Sequence, residues 1–265
     1  MSSIQETEWQ LIEHLPFTTD EGVATRARIG LVVLSSDYTL EHEFRRVIST
    51  PGVACFHTRV ENAPEVTPST LAAMKEKIPA ALSCILPGDT LDVVAYGCTS
   101  ATTVLGEQVI FDQVRRVQPT AKITTPVTAA FTAFDALSAK RIAVLTPYRS
   151  DVNITVRSYI VNAGYEVPVF GSFNEPMDPV VATIDAKSIC AGIDTILRDC
   201  DVDLVFVSCT SVRLIDEIAA LEARFGLPVT SSNHAMAWHC LRLAGVNDRQ
   251  PQWGRLYDCA LPVTQ

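Results

Sequence analysis

The sequence predicts an α/β protein made of two copies of one module, each a parallel sheet flanked by helices. Three observations lead there. Continuous apolar runs of strand length alternate with helical patterns, the order expected of βαβ units. Two of those runs, L-D-V-V-A-Y-G-C-T-S (91–100) and V-D-L-V-F-V-S-C-T-S (202–211), deliver the same Cys-Thr-Ser 111 residues apart. Flanking pieces repeat as well: R-I-G-L-V-V-L is answered by R-I-A-V-L 113 residues on, and K-I-T-T-P-V-T-A-A by P-V-T-S-S-N-H-A at a similar distance. One such pair is chance-level in an α/β chain; three pairs in one order at nearly constant offset indicate a duplication.

Taken in order, residues 1–27 read as an irregular or partly helical leader. R-I-G-L-V-V-L-S-S from Arg28 is apolar throughout and ends in small polar residues, as a strand buried on both faces does. Further strand-like runs lie at 52–58, 91–97, 122–126, 141–147, 166–171, 203–208 and 228–232, with helical patterns at 67–82, 101–114, 127–137, 154–164, 188–199 and 212–226. Gly226 is a suitable helix stop. The expected lobes are 28–122 plus 230–265 for the first and 123–229 for the second.

Bulk properties narrow the function. The chain has 265 residues, 48% of them hydrophobic and 19% charged, enough for a sizeable core and too apolar for disorder. A net charge of -9 disfavours nucleic acid and anionic membrane as partners. No apolar run reaches the roughly 18–20 residues that span a bilayer, and the polar N-terminus lacks a signal-peptide core. A cytoplasmic location is therefore expected, where the eight cysteines stay reduced. There is no C-x-x-C, and His234 and His239 fall on different helix faces, so no metal site is expected. Neither G-x-G-x-x-G nor a P-loop is present, so a nucleotide cofactor has no support.

Ligands of parallel sheets sit beyond the carboxyl ends of the strands, where Cys98 and Cys209 fall. A thiol at a helix start is expected to have a lowered pKa. The backbone N–H groups there, with the Thr99, Ser100, Thr210 and Ser211 hydroxyls, are suited to cradle a carboxylate. Two thiols facing one small acid suit removal and return of a proton on opposite faces, or addition of one thiolate to a C=C bond followed by rotation and elimination. The other six cysteines read as small core hydrophobes.

At these residues the chain resembles the aspartate/glutamate racemase superfamily, in the branch holding maleate cis–trans isomerases, arylmalonate decarboxylases and ectoine-utilisation proteins. The resemblance rests on G-L-V-V-L-S-S-D-Y-T-L-E (30–41), Y-G-C-T-S-A (96–101), V-L-T-P-Y (144–148), V-S-C-T-S-V-R (207–213) and S-S-N-H-A-M-A-W-H (231–239). It implies two pseudo-symmetric flavodoxin-like lobes, each with a four-stranded parallel sheet, around a site that needs no cofactor. It also implies a dimer or larger homo-oligomer, and a tyrosine, here Tyr148, that binds a substrate carboxylate. The decarboxylases keep only the second cysteine; both are present here, so decarboxylation is the least expected branch.

Two departures stand out. Asp37 occupies a place where maleate isomerases resemble asparagine, and Asp178 falls on a second such place in a looser alignment. Ionised carboxylates accept but do not donate, which disfavours a dianionic substrate. The expectation is therefore a two-cysteine racemase of a small amino acid or acylated amino acid. The alternative is maleate-type cis–trans isomerisation, ahead of decarboxylation or a non-catalytic carboxylate binder. Asp37 joins the thiols as a catalytic candidate, its competing role being a helix or turn cap. Ser36 and Asn233 complete the candidate lining, with His234 beside Asn233. His239 and Trp238 read as packing groups and Arg213 as a surface ion pair.

Overall fold

A computed structural model describes residues 9–63, 68–175 and 177–263. Strands β1 (Ala27–Leu34), β2 (Val53–Val60), β3 (Val93–Gly97) and β4 (Lys122–Thr124) form one all-parallel sheet in the order β2-β1-β3-β4. Strands β5 (Arg141–Thr146), β6 (Glu166–Ser172), β7 (Leu204–Val207) and β8 (Val229–Ser231) form a second, in the order β6-β5-β7-β8. The two orders are the same, as the internal repeat requires. The central strands are buried on both faces, which is why they read as unbroken apolar runs: every residue of β3 and of β7 is buried.

Each sheet carries helices on both faces. In the first half, α1 (Leu40–Val47) lies on one face. On the other, α3 (Ile78–Leu82) and α5 (Glu107–Arg115) set Ile78, Leu82, Ile110 and Val114 against Val32, Val94 and Tyr96. In the second half, α9 (Ala186–Leu197) and α10 (Ile218–Phe225) cover one face, and α7 (Ser150–Asn162) the other. Two helices tie the halves together. The helix after β4, α6 (Pro126–Ala136), presents Ala129 and Ala133 to the first core, and Ala130 and Phe134 to the second. The helix after β8, α11 (Ser232–Leu243), returns to the first half and packs against α6, α1 and β3.

Several boundaries differ from expectation for local reasons. The 67–82 pattern is two helices, α2 (Pro68–Lys75) and α3, with Pro79 in the first turn of α3; Thr67 and residues 1–8 of the expected leader lie outside the described residues. The 101–114 pattern splits into α4 (Thr99–Leu105) and α5 because Gly106, at φ 86, turns the chain between them. Pro126 begins α6 instead of ending a strand. Residues 9–26 form neither helix nor strand. The expected lobe changes at 122/123 and 229/230 fall inside β4 and β8; each strand stays whole in its own sheet. Gly226 ends α10 in the left-handed region, at φ 71. Among the described residues no helix is long and apolar enough to cross a membrane.

Candidate active site

The strand order places the switch point of each sheet between its two central strands, β1 and β3 in the first half, β5 and β7 in the second. The chain leaving those four strands supplies the site. After β1 come Ser35, Ser36 and Asp37; after β3 comes Cys98; after β5, Tyr148; after β7, Cys209, Thr210 and Ser211. Gly97 lets the first of these segments close up, since a Cβ there would lie 2.1 Å from Leu40 Cδ2 on α1.

The two cysteines are held differently. Cys98 is the N-cap of α4 in extended conformation, and its sulfur accepts from Ala101 N at 3.4 Å, with Ser100 Oγ 3.6 Å away. Cys209 does not begin a helix. Its sulfur accepts from Ser211 N at 3.4 Å in a turn, and the next helical residues are the 3₁₀ turn Ile215–Glu217. The expectation that both thiols head a helix holds for Cys98 alone.

Despite that difference the thiols share three neighbours. Asp37, Asp178 and Tyr148 each interact electrostatically with both sulfurs. The Tyr148 hydroxyl acts as a hydrogen-bond donor to Cys209. Asp178, in the first turn of α8 (Asp178–Val181), joins the halves: Ser36 Oγ donates to its Oδ2 at 3.3 Å and Ser211 Oγ to its Oδ1 at 3.2 Å. Asp37 is 3% exposed and fills the capping role weighed for it. Its Oδ1 caps the start of α1, accepting from Thr39 N at 2.7 Å and Leu40 N at 2.8 Å. Its Oδ2 is approached by the Thr210 hydroxyl but completes no hydrogen bond among the described residues.

The thiol ionisation expected from sequence is reversed. Burial raises the Cys98 thiol, and Asp178 and Asp37 add to the rise, outweighing the Ser100 and Ala101 donors. Burial pushes Cys209 up to about 12 against the lowering by Tyr148. Both residues are 3% exposed, and neither has a cationic side chain among the causes acting on it. Arg59, the basic residue nearest to Asp37 in the hydrogen-bond network, spends its Nη1 on the carbonyls of Leu34, Ser35 and Asp37 and its Nε on Glu41. Burial also raises the Asp37 carboxyl, with Asp178 contributing. Burial thus favours the neutral thiols over resting thiolates.

Other candidates are placed elsewhere. Thr99 is buried, with its hydroxyl 3.3 Å from Ser232 Oγ, so it braces α4 against α11 and does not line the gap. Asn233 is fully buried; its Nδ2 donates to Glu43 Oε2 at 2.7 Å and to Thr210 O at 2.8 Å, so it supports the Cys209 loop from behind. The N-cap of α11 is Ser231. His234 lies in the core between Thr230 Oγ1 and Trp253 O. Trp238 and His239 are buried packing groups, as expected, and Arg213 is exposed with no ion pair among the described residues. Sequence reasoning passed over Asn62, whose Oδ1 takes Ser35 Oγ and Ser36 N and whose Nδ2 donates to Ser36 Oγ. It also passed over Thr39 and Glu43. Their i, i+4 spacing on one helix face was the available signal, but a buried carboxylate there looks like any exposed helix glutamate in sequence.

Two surface hollows lie on the second half. One, about 570 Å³, is lined by Arg149, Ser150, Asp151 and Asn174. The other, about 400 Å³, is lined by residues that include Phe173, Val180 and Ile184. Neither is lined by a thiol.

Comparison with known proteins agrees with this fold. The sequence profile of the arylmalonate decarboxylase family matches residues 66–257. Maleate isomerase of Pseudomonas putida is 28% identical over 244 residues, covering 86% of this chain and 96% of that protein. Arylmalonate decarboxylase of Bordetella bronchiseptica is 30% identical over 140 residues, 51% of this chain and 57% of that one. Among solved structures, Nocardia farcinica maleate cis–trans isomerase bound to TRIS superposes with a TM-score of 0.77 at 25% identity, covering 87% of this chain and 97% of that one. A cysteine-to-serine variant of the Nocardia farcinica enzyme, solved with a covalently bound succinylcysteine intermediate, superposes with a TM-score of 0.76 at 26% identity, covering 87% of this chain and 98% of that one.

Proposed function

Because the chain belongs to the arylmalonate decarboxylase family, with maleate isomerases among its relatives, we propose that it is a two-thiol isomerase of a small carboxylic acid acting by thiol addition to a C=C bond. The observation that carries this reading is the pair Cys98 and Cys209 sharing Asp37, Asp178 and Tyr148.

In this reading Cys98 gives its proton to Asp37 Oδ2 and its sulfur adds to one alkene carbon. The electron pair moves onto the neighbouring carbon and its carboxylate. Cys209 protonates that carbon, and the former double bond rotates as a single bond. Cys209 then takes a proton back, the C–S bond breaks with its electron pair going to the Cys98 sulfur, Asp37 returns the first proton to that sulfur, and the trans alkene leaves with the enzyme restored. The covalent succinylcysteine of the Nocardia farcinica relative supports a step of this kind. In this reading the N–H groups of Thr99 and Ser100 at the start of α4 stabilise the developing carboxylate charge, while Ala101 N holds the Cys98 sulfur. Cys98 and Cys209 are each 3% exposed, so in this reading substrate enters by parting the Ser36–Asp178–Ser211 bridge between the halves.

A second reading, racemisation of a small amino acid or acylated amino acid by the same thiols, is favoured by one observation. Two carboxylates, Asp37 and Asp178, face the site, and a dianion such as maleate meets both. Proton NMR in D2O separates the readings. Conversion of the maleate alkene signal into that of fumarate is the expected result. Unchanged maleate, together with loss of the Cα–H signal from a panel of small amino acids, overturns the addition mechanism in favour of racemisation.

A further inference from the structure

The Cys209 loop is held in place by the other half of the molecule. Three side chains along one face of α1 reach it. Thr39 Oγ1 donates to Ser211 O at 2.8 Å. Glu43 Oε1 accepts from Leu214 N at 2.6 Å and Ile215 N at 2.9 Å. Arg46 Nη2 meets Asp216 Oδ1 at 2.7 Å. Glu43 Oε2 accepts from Asn233 Nδ2, the amide that also holds Thr210 O. The carboxylate thus touches residue 210 through Asn233 and residues 214 and 215 directly, spanning the loop that begins at Cys209.

All of its partners are N–H donors. An ionised carboxylate accepts every one of them; a proton on either oxygen sets an O–H against an N–H and forfeits a bond. We propose that Glu43 is a positioning residue for Cys209, clamping the 210–215 loop while its carboxylate is ionised and releasing it when protonated. This rests on reading Cys209 as a catalytic thiol.

The surroundings place that change near neutral pH. Burial pushes Glu43 up to about 7, opposed by the Ile215, Asn233 and Leu214 donors, with Asp216 adding to the rise. The charged and titratable groups around it are Asp216 on the 3₁₀ turn, itself paired with Arg46 from α1, and Tyr257 from the C-terminal segment. No lysine or arginine side chain is recorded as hydrogen-bonded to Glu43 among the described residues. Between pH 4.5 and about 7 the folded chain keeps a proton that the unfolded chain has lost, so ionising Glu43 lowers stability as pH rises. A carboxylate that costs stability when ionised, yet fits its partners only in that state, matches a role in holding a reactive loop.

Hydrogen–deuterium exchange of the 209–217 region, corrected for the intrinsic pH dependence, tests this in the full chain. In the parent, protection is expected to rise about tenfold as pH increases through 7, the effect of regaining roughly one hydrogen bond. Glu43→Gln is expected to abolish that step, to speed iodoacetamide labelling of Cys209 about tenfold with Cys98 unchanged, and to leave the melting temperature at pH 8 equal or higher. Glu43→Asp, which keeps the charge, is expected to retain the step. Persistence of the step in Glu43→Gln overturns the proposal. So does loosening spread over the whole chain with a fall in melting temperature. None of these readouts needs a substrate, so a parent that leaves maleate untouched counts against the catalytic reading alone.

Discussion

Thr39 of the first half donates its hydroxyl to the carbonyl of Ser211 in the second, at 2.8 Å and in a buried position. The contact shows how two copies of one module have come to differ. The first Cys-Thr-Ser heads its own helix; the second is a turn fastened to a helix of the opposite half. The thiols therefore sit in unlike frames while sharing Asp37, Asp178 and Tyr148.

Replacing the thiols one at a time is expected to reveal that division. Cys98→Ser should lower maleate turnover by roughly three orders of magnitude or more, since the attacking atom is gone. Cys209→Ser should lower it comparably but leave a substrate adduct on Cys98, visible as a mass increment of one substrate in intact-protein mass spectrometry. An adduct on residue 209 in the Cys98→Ser protein would exchange the two roles, and retention of more than about a tenth of parent turnover by either variant would remove the thiols from the mechanism.

Asp178 raises both thiols and bridges the halves between them through Ser36 and Ser211. Asp178→Asn keeps a side-chain oxygen for Ser36 or Ser211 and removes the charge. The KM for maleate is expected to fall about tenfold, with faster alkylation of Cys98 and Cys209, because one repulsive charge is lost. A KM that rises with the protein still folded by circular dichroism would mean that Asp178 helps to hold the substrate.

Two core histidines set the acid limit of stability. Burial lowers His234 and His239 to about 4. In the unfolded chain both bind protons below about pH 6.5, and in the folded chain they do not, so stability is lost as pH falls from there towards 4. Glu43 works in the opposite sense, taking up one proton in the folded state below about 7, and offsets part of this loss. His239 is held by one hydrogen bond, to Thr124 Oγ1 at 2.8 Å. His239→Gln is expected to shrink the difference in unfolding free energy between pH 7 and pH 5 by about 2 kcal/mol in urea titrations. An unchanged difference would mean that His239 is protonated in the fold.

Much of the fold was legible in the sequence because burial on both faces writes itself as an unbroken apolar run, and duplication writes the same runs twice. The eight strands and the two Cys-Thr-Ser segments follow from that alone, whereas Tyr148 was marked only by the family resemblance. Other features depend on neighbours that linear order does not reveal. Cys209 reads like Cys98, yet only Cys98 caps a helix, because α1 of the other half captures the second loop through Thr39 and Glu43. Thr99 and Asn233 carry polar side chains suited to a ligand, but their partners, Ser232 and Glu43, lie 133 and 190 residues away. Thiol ionisation was misjudged for the same reason: a helix start favours the anion locally, whereas burial between two halves, with two carboxylates close by, is decided by the tertiary structure and acts more strongly. Sequence alone determined which strand ends carry the two thiols; packing between the halves decided how each is held and how it ionises, because the groups that do so come from segments distant in the chain.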